Sequence, residues 1–429
     1  MRRKPLQTVT RVDRSGRVGL WRNPAFLRLW AADTVSVFGS LITRIALPFT
    51  AILVLDARAF EMSLLVLADL LPSCLVGLPV GVWVDRQRRL PLMIASDVLR
   101  AAVLVSIPVA AAFDALTLSQ LYIVAFVASM LTVLFNVAQL SILPSLVSPE
   151  DLLEANSKTS ATQSISEVGA FGIGGWLVQL LSGPGAILID AVSFLASAVL
   201  LRGVAVNETT TGPNGRSGMR QEILTGLGYM WRQPLLRATA VASTAGWFGF
   251  SIFGALISLF SLKELGFEAG PLAMIYAVGG VSSLAGSVLA RPVTRALGVG
   301  PAMIAGLLMA GLLLMPLAAA RGHGAWAAGC LLVQQLGDGA VLVFMINEVS
   351  LRQTIVAPGL IGRVNASAEF LRSMARLSGV LAAGLAGEII GLRASLGFGG
   401  AVVSLGAVFI AFTSLRSLKT MPARYVEHG

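Results

Sequence analysis

A chain of 429 residues in which 55% are hydrophobic and 13% charged, with a mean hydropathy of +0.80, is too apolar for a water-soluble globular domain, where charged residues run near 25%. Its 32 Lys and Arg against 22 Asp and Glu give a net charge of +10, but the basic residues are dealt out to alternate connections between apolar stretches, which excludes a nucleic-acid partner. Two histidines and two cysteines, with Cys74 and Cys330 both inside apolar stretches, exclude a zinc centre and a disulfide framework.

In chain order, residues 1–24 form a polar, Arg-rich cytoplasmic tail with no removable signal sequence. Twelve apolar stretches follow, each long enough to cross about 30 Å of hydrocarbon as a helix. They lie near 27–55, 62–85, 90–113, 118–143, 155–180 and 184–204, then 237–262, 270–292, 299–319, 324–348, 364–388 and 395–416. One set of connections carries Arg86, Arg88, Arg89, Lys158, Arg216, Arg220, Arg291, Arg295, Arg352 and Arg363; the other holds only Arg58, Lys263, Arg321 and Arg393. The positive-inside rule then puts both termini in the cytoplasm, requires an even number of crossings and makes membrane lipids a partner. The chain divides into a bundle over 25–204, a cytoplasmic linker over 205–236, a bundle over 237–416 and a cytoplasmic tail over 417–429. Within the linker, 219–232 reads either as a helix in the membrane interface or as an extension of the seventh span.

Charges inside these spans cost at least about 2.5 to 3.5 kcal/mol each at mid-bilayer, so each is a functional candidate. Asp33 and Arg44 share one stripe of the first span with Val37 and Ser40. Counting the rise along the second span brings Asp69 to a depth where an ion pair with Arg44 is expected. Glu167, in mid-span five, suits a protonatable carrier or a neutral hydrogen-bonded group. Asp338 lies deep in span ten, and Glu369, Arg372 and Arg376 in span eleven are spaced for local pairing, with an Asp338 to Arg376 bridge as the other option. Asp33, Arg44, Asp69, Glu167 and Asp338 are the proton-coupling candidates. Asp190, near the end of span six, reads as structural.

The halves repeat. Pro149 and Asn156 recur at Pro358 and Asn365, and Arg86, Gly77 and Gly175 recur at Arg295, Gly286 and Gly384, always 209 residues on. Doubling of a long hydrophobic unit is how many transporters are built.

Residues 81–90, Gly-Val-Trp-Val-Asp-Arg-Gln-Arg-Arg-Leu, resemble the signature loop of the major facilitator superfamily through Gly81, Asp85, Arg86 and Arg89. Leu152-Leu153-Glu154-Ala155-Asn156, Ile189-Asp190-Ala191-Val192-Ser193-Phe194 and Gly362-Arg363-Val364-Asn365-Ala366 are similar to its efflux branch, which includes macrolide and enterobactin exporters. The resemblance implies an all-α membrane protein with twelve transmembrane helices in two pseudo-symmetric six-helix bundles, the major facilitator fold. It implies a cytoplasmic gate in which Asp85, Arg86 and Arg89, with Asp97 and Arg100, latch against the eleventh span. Because spans one, four, seven and ten line the cavity in relatives, Phe38, Asn136, Gln139, Trp247, Phe248, Gln335 and Asn347 become substrate-cavity candidates. Aromatics with scattered amides suit an amphipathic organic molecule.

The expected function is a monomeric antiporter of the inner membrane that exports lipophilic or amphipathic small molecules, drug-like compounds or secondary metabolites, against protons, with drug resistance as its outcome. The family's Gly-Pro in span five is Ala170-Phe171 here, which favours an uncoupled facilitator or importer as the alternative; a transport-inactive membrane sensor or partner is another. No phosphate loop and no interpretable nucleophile set occurs, so no enzyme, cofactor or metal is expected.

Overall fold

The structure is a computed structural model that describes residues 20–84, 87–148, 151–206, 219–357 and 359–422. Thirteen α-helices, with no strand among the described residues, run α1 (Pro24–Leu53), α2 (Ala59–Val84), α3 (Arg89–Ala112), α4 (Leu118–Leu146), α5 (Leu152–Arg202), α6 (Met219–Arg232) and α7 (Pro234–Leu259), then α8 (Ala269–Leu297), α9 (Val299–Leu314), α10 (Pro316–Ala319), α11 (Ala325–Ile355), α12 (Ile361–Ile389) and α13 (Leu392–Ala411). Their starts are written locally. Asn23 caps α1 by accepting from the Ala25 and Phe26 N–H groups at 3.1 and 3.2 Å, Pro24 takes the first helical position, and the Asn23 amide donates to the Leu146 carbonyl at 2.8 Å. One side chain thus starts α1 and ties it to the end of α4.

Nine helices among the described residues are long and apolar enough to cross a membrane. One of them, α5, is 51 residues long, or about 76 Å at 1.5 Å per residue, more than twice the hydrocarbon thickness. It turns back at Ser182, whose φ of 66° is a left-handed backbone. Gly169, Gly174 and Gly183 face Phe38, Ile45 and Thr50 of α1 in the same order, and then Asp190 and Ser193 return to Gly39. α5 therefore crosses twice, and α2 and α12 complete the twelve. The membrane is lined by twelve helical crossings in two six-helix bundles, the fold that the sequence led us to expect, and the protein is a multi-pass membrane protein.

The helix at 219–232 is separate from α7, because Gln233 and Pro234 break the backbone between them. It packs on α12: the Ser367 hydroxyl donates to the Ile223 carbonyl at 2.8 Å, and Gly226 lies so close to Arg363 and Ser367 that a Cβ has no room. The segment after α13 pairs with the start of α9 through Gly300 N–H to the Leu418 carbonyl at 2.9 Å.

The halves meet along two seams, α5 on α8 and α12 on α2, and the 209-residue repeat becomes geometry there. Gly175 of α5 presses on Ala269 and Ala273 of α8, while Gly384 of α12 presses on Phe60 and Ser63 of α2. Gly384 is Gly175 plus 209 and Ala269 is Phe60 plus 209, so one contact is written twice. A polar side chain braces each seam at the end that holds the first turns of α2 and α8. Gln179 accepts from the Gly270 N–H at 3.0 Å and donates to Glu268 at 2.7 Å. Glu388, which is Gln179 plus 209, accepts from the Phe60 N–H at 3.3 Å. Both supply partners to the unpaired first-turn N–H groups of α8 and α2.

Candidate functional site

Between the two seams lies a cavity of about 640 Å³, within the ordinary size for a small organic ligand. α1 contributes Arg44, Ile45 and Phe49; α5 contributes Glu167, Val168 and Phe171; α7 contributes Phe253, Ile257 and Ser258; α8 contributes Tyr276, Gly279, Gly280, Ser283 and Ser287; and α11 contributes Gln335, Asp338 and Leu342. The walls are mainly apolar and aromatic, with three charged groups. Arg44 and Glu167 come from the first half and Asp338 from the second. Glu167 and Asp338 lie within electrostatic reach of one another, and the Asp338 carboxylate fills the space above Gly279, which only a glycine leaves open. Gln335 is fixed by donating to the Ile275 carbonyl at 3.1 Å, and the Tyr276 hydroxyl reaches Ser261 at 3.4 Å. Chemically, the cavity offers an aromatic lining, one cation and two carboxylates within electrostatic reach of one another.

The end of the bundle that holds the α1–α2 and α7–α8 turns is shut. Beyond Gln179 and Glu388, the Lys263 ammonium meets Asp56 at 2.5 Å and the Ala57 carbonyl at 3.0 Å, and Gly387 abuts Ala59. Asp56 is exposed in its turn, and the Lys263 hydrogen bond and charge hold its carboxyl below the usual carboxylate range. Arg393 also pairs with Glu264 at 2.9 Å there, within the second half.

The expected residues scatter more widely than the sequence suggested. Gln335 lines the cavity with Arg44, Glu167 and Asp338. Asp69 lies within electrostatic reach of Arg44, but the two are not in ion-pair contact. Asp33 is buried beside Gln139, away from the cavity wall. Phe38 packs on Gly169, and Phe248 lays its backbone carbonyl against Gly379 of α12. Asn136 is exposed, and Asn347 is buried in a hydrogen-bonded pair with Thr294 at 2.8 Å. Trp247 lies under Arg376, 5.1 Å from the ring centroid. Arg376 does not bridge to Asp338: it pairs with Glu369 at 2.6 Å, and Arg372 joins Glu369 at 2.8 Å and, across to α11, Glu348 at 3.6 Å.

Of the cytoplasmic loop, Asp85 and Arg86 lie outside the described residues, Gly81 falls in the last turn of α2, and Arg89 is buried at the start of α3. Asp97 and Arg100 are not at the loop: they pair with each other inside the first bundle. Sequence reasoning missed Tyr276, Ser283 and Ser287, because it looked to spans one, four, seven and ten for lining. The Gly-Gly pair at 279 and 280, which lets α8 come close to α5 and α11, was the available signal.

Comparison with known proteins adds identity to this geometry. The sequence pattern of the Major Facilitator Superfamily matches residues 29–380. The chain is similar to the MFS-type transporter YkuC of Bacillus subtilis (strain 168), 27% identical over 263 residues, covering 57% of this chain and 58% of that protein. It is also similar to the multidrug efflux pump Tap of Mycolicibacterium fortuitum, 26% identical over 286 residues, covering 64% of this chain and 69% of Tap. In fold it is similar to a bacterial homologue of the iron transporter ferroportin in its inward-facing state, with a TM-score of 0.71 at 19% identity over 93% of this chain and 100% of that one. The match spans little more than half the length of the first curated relatives.

Proposed function

Because the chain belongs to the Major Facilitator Superfamily, we propose that it is a secondary active transporter that exports lipophilic or amphipathic small molecules by proton antiport, with its two halves rocking about the central cavity. The observation that carries this reading is the placement of Glu167 and Asp338, one from each half, in a single aromatic-lined cavity between the seams. Two carboxylates that must share a small apolar space repel one another when both are ionised. A proton or a cationic cargo relieves that repulsion, and the two ligands therefore compete. Similarity to a multidrug efflux pump supports export as the direction.

Residues 25–204 and 237–416 serve as the moving halves, with both termini on the cytoplasmic side of the inner membrane and lipids around a monomer. The braced end is then the outer face, and the cavity opens inward. Asp85, Arg86 and Arg89 form the inner latch that closes when the outer braces part. The alternative of uncoupled facilitation draws on Ala170-Phe171, which stand where efflux antiporters carry Gly-Pro.

The test uses the full chain in liposomes with a pH-sensitive dye and a panel of lipophilic amines and neutral amphiphiles. Antiport requires that at least one compound drive proton movement and that Glu167→Gln abolish it. Compound movement that ignores an imposed proton gradient overturns the coupling and leaves a facilitator.

A further inference from the structure

The first bundle holds a second set of acids that the cavity does not use. Asp97 and Arg100 of α3, Asp33 of α1 and Asp190 of the second arm of α5 are 0, 2, 7 and 1% exposed. Arg100 touches Asp97 directly, reaches Thr132 of α4 at 3.3 Å, and lies between Phe135 and Phe194, 4.6 and 4.0 Å from their ring centroids. Asp190 accepts from Ser193 at 3.1 Å and sits beside Thr43. Asp33 adjoins Gln139 of α4. Asp190 and Asp33 act on the same guanidinium, and no other charged group acts on any of the three carboxylates among the described residues.

Three carboxylates around one guanidinium leave two uncompensated negative charges if all are ionised. At this depth that arrangement is very costly, because a buried charge must be paired and hydrogen-bonded. The pairing is also loose: Asp97 Oδ2, Arg100 Nε and the Ser197 hydroxyl are all buried and none makes a close hydrogen bond, although Ser197 adjoins Asp97. The site is thus short of positive charge, and its polar atoms are not locked into one arrangement. A proton on one carboxylate removes one of the two excess charges. The crowding of Asp190 and Ser193 against Gly39 leaves little room for a hydrated metal ion.

We propose that Asp33, Asp97, Asp190 and Arg100 form a proton-binding site of the first half, separate from the cargo cavity. It draws residues from α1, α3, α4 and the returning arm of α5, so loading a proton changes how those crossings hold together whether or not cargo is bound. The step is simple transfer of a proton from water to a carboxylate oxygen, with the guanidinium charged throughout.

The experiment is infrared difference spectroscopy on the purified full-length chain stepped between about pH 8 and pH 5, read at the carboxylic-acid carbonyl band. In the unmodified protein carrying carbon-13 at the aspartate carboxyl, part of that band must shift; no shift overturns the site even if a variant fails to fold. Asp97→Asn or Asp190→Asn must remove a component that persists in Glu167→Gln, Asp338→Asn and Asp69→Asn. A band unchanged by both substitutions and by Asp33→Asn overturns the site, as does displacement of the band by sodium at constant pH, which identifies a metal-ion site instead. Glu167→Gln abolishing transport with no proton component at the cluster would leave the exporter standing and remove only this site.

Discussion

At the scale of single residues, Glu167 and Asp338 are coupled through the space they share, so their substitutions do not add. Glu167→Gln or Asp338→Asn should each lower gradient-driven transport by about tenfold or more, and the double variant should cost little beyond either one. Initial rates in liposomes measure this. Neither change should unfold the protein, because each removes a half-buried charge with no salt-bridge partner among the described residues; the thermal midpoint should hold or rise. Asp56 follows the opposite logic. Lys263 depresses its carboxyl, so the contact is fully present above the ordinary carboxylate range of about 4 and is lost as pH falls through the lower folded value. Labelling of a cysteine placed at Ala57 should stay constant near neutrality and increase only in strong acid. Both cavity acids were legible in the sequence as charges in apolar stretches. Their meeting was not, because it depends on how closely α5, α8 and α11 approach, which is set by glycines rather than by periodicity.

At the scale of elements, the seam glycines and the turn at Ser182 carry the sharpest expectations. Gly175→Leu and Gly384→Leu should be alike, since one contact is used twice, each losing about 1 to 3 kcal/mol through overpacking. Gly172→Ala, with nothing within 4 Å, should be neutral or slightly stabilising in the same thermal melt. Ser182→Gly should gain up to about 1 kcal/mol, because glycine takes the left-handed backbone without the Cβ clash. The number of crossings was readable from hydropathy alone. The bend in α5 was read as a gap between two spans, and the choice for residues 219–232 could not be made until Gly226 was seen against α12. Hydropathy reports which segments prefer lipid, but side-by-side contacts are fixed by shape.

At the scale of the whole molecule, the braces and the Asp56–Lys263 contact hold one end closed while the cavity waits behind them. Asp56→Lys should disfavour that closure and raise outer accessibility, and adding Lys263→Asp should restore it. Cysteine labelling from the outside and transport rate should recover together; recovery of neither would mean that the pair does not govern closure. The repeat made the two-bundle plan legible early. It did not show that the equivalent positions Gln179 and Glu388 brace the two seams, which depends on their reaching the first turns of α8 and α2.

Ser182 is the single non-helical joint in α5, and Glu167 and Asp190 ride on its two arms. With no slack chain between them, a tilt that shifts the cavity carboxylate drags the buried one along. Events at the ligand chamber and in the proton cluster are then geared mechanically, like two ends of a bent crank, without any relay of side chains between them.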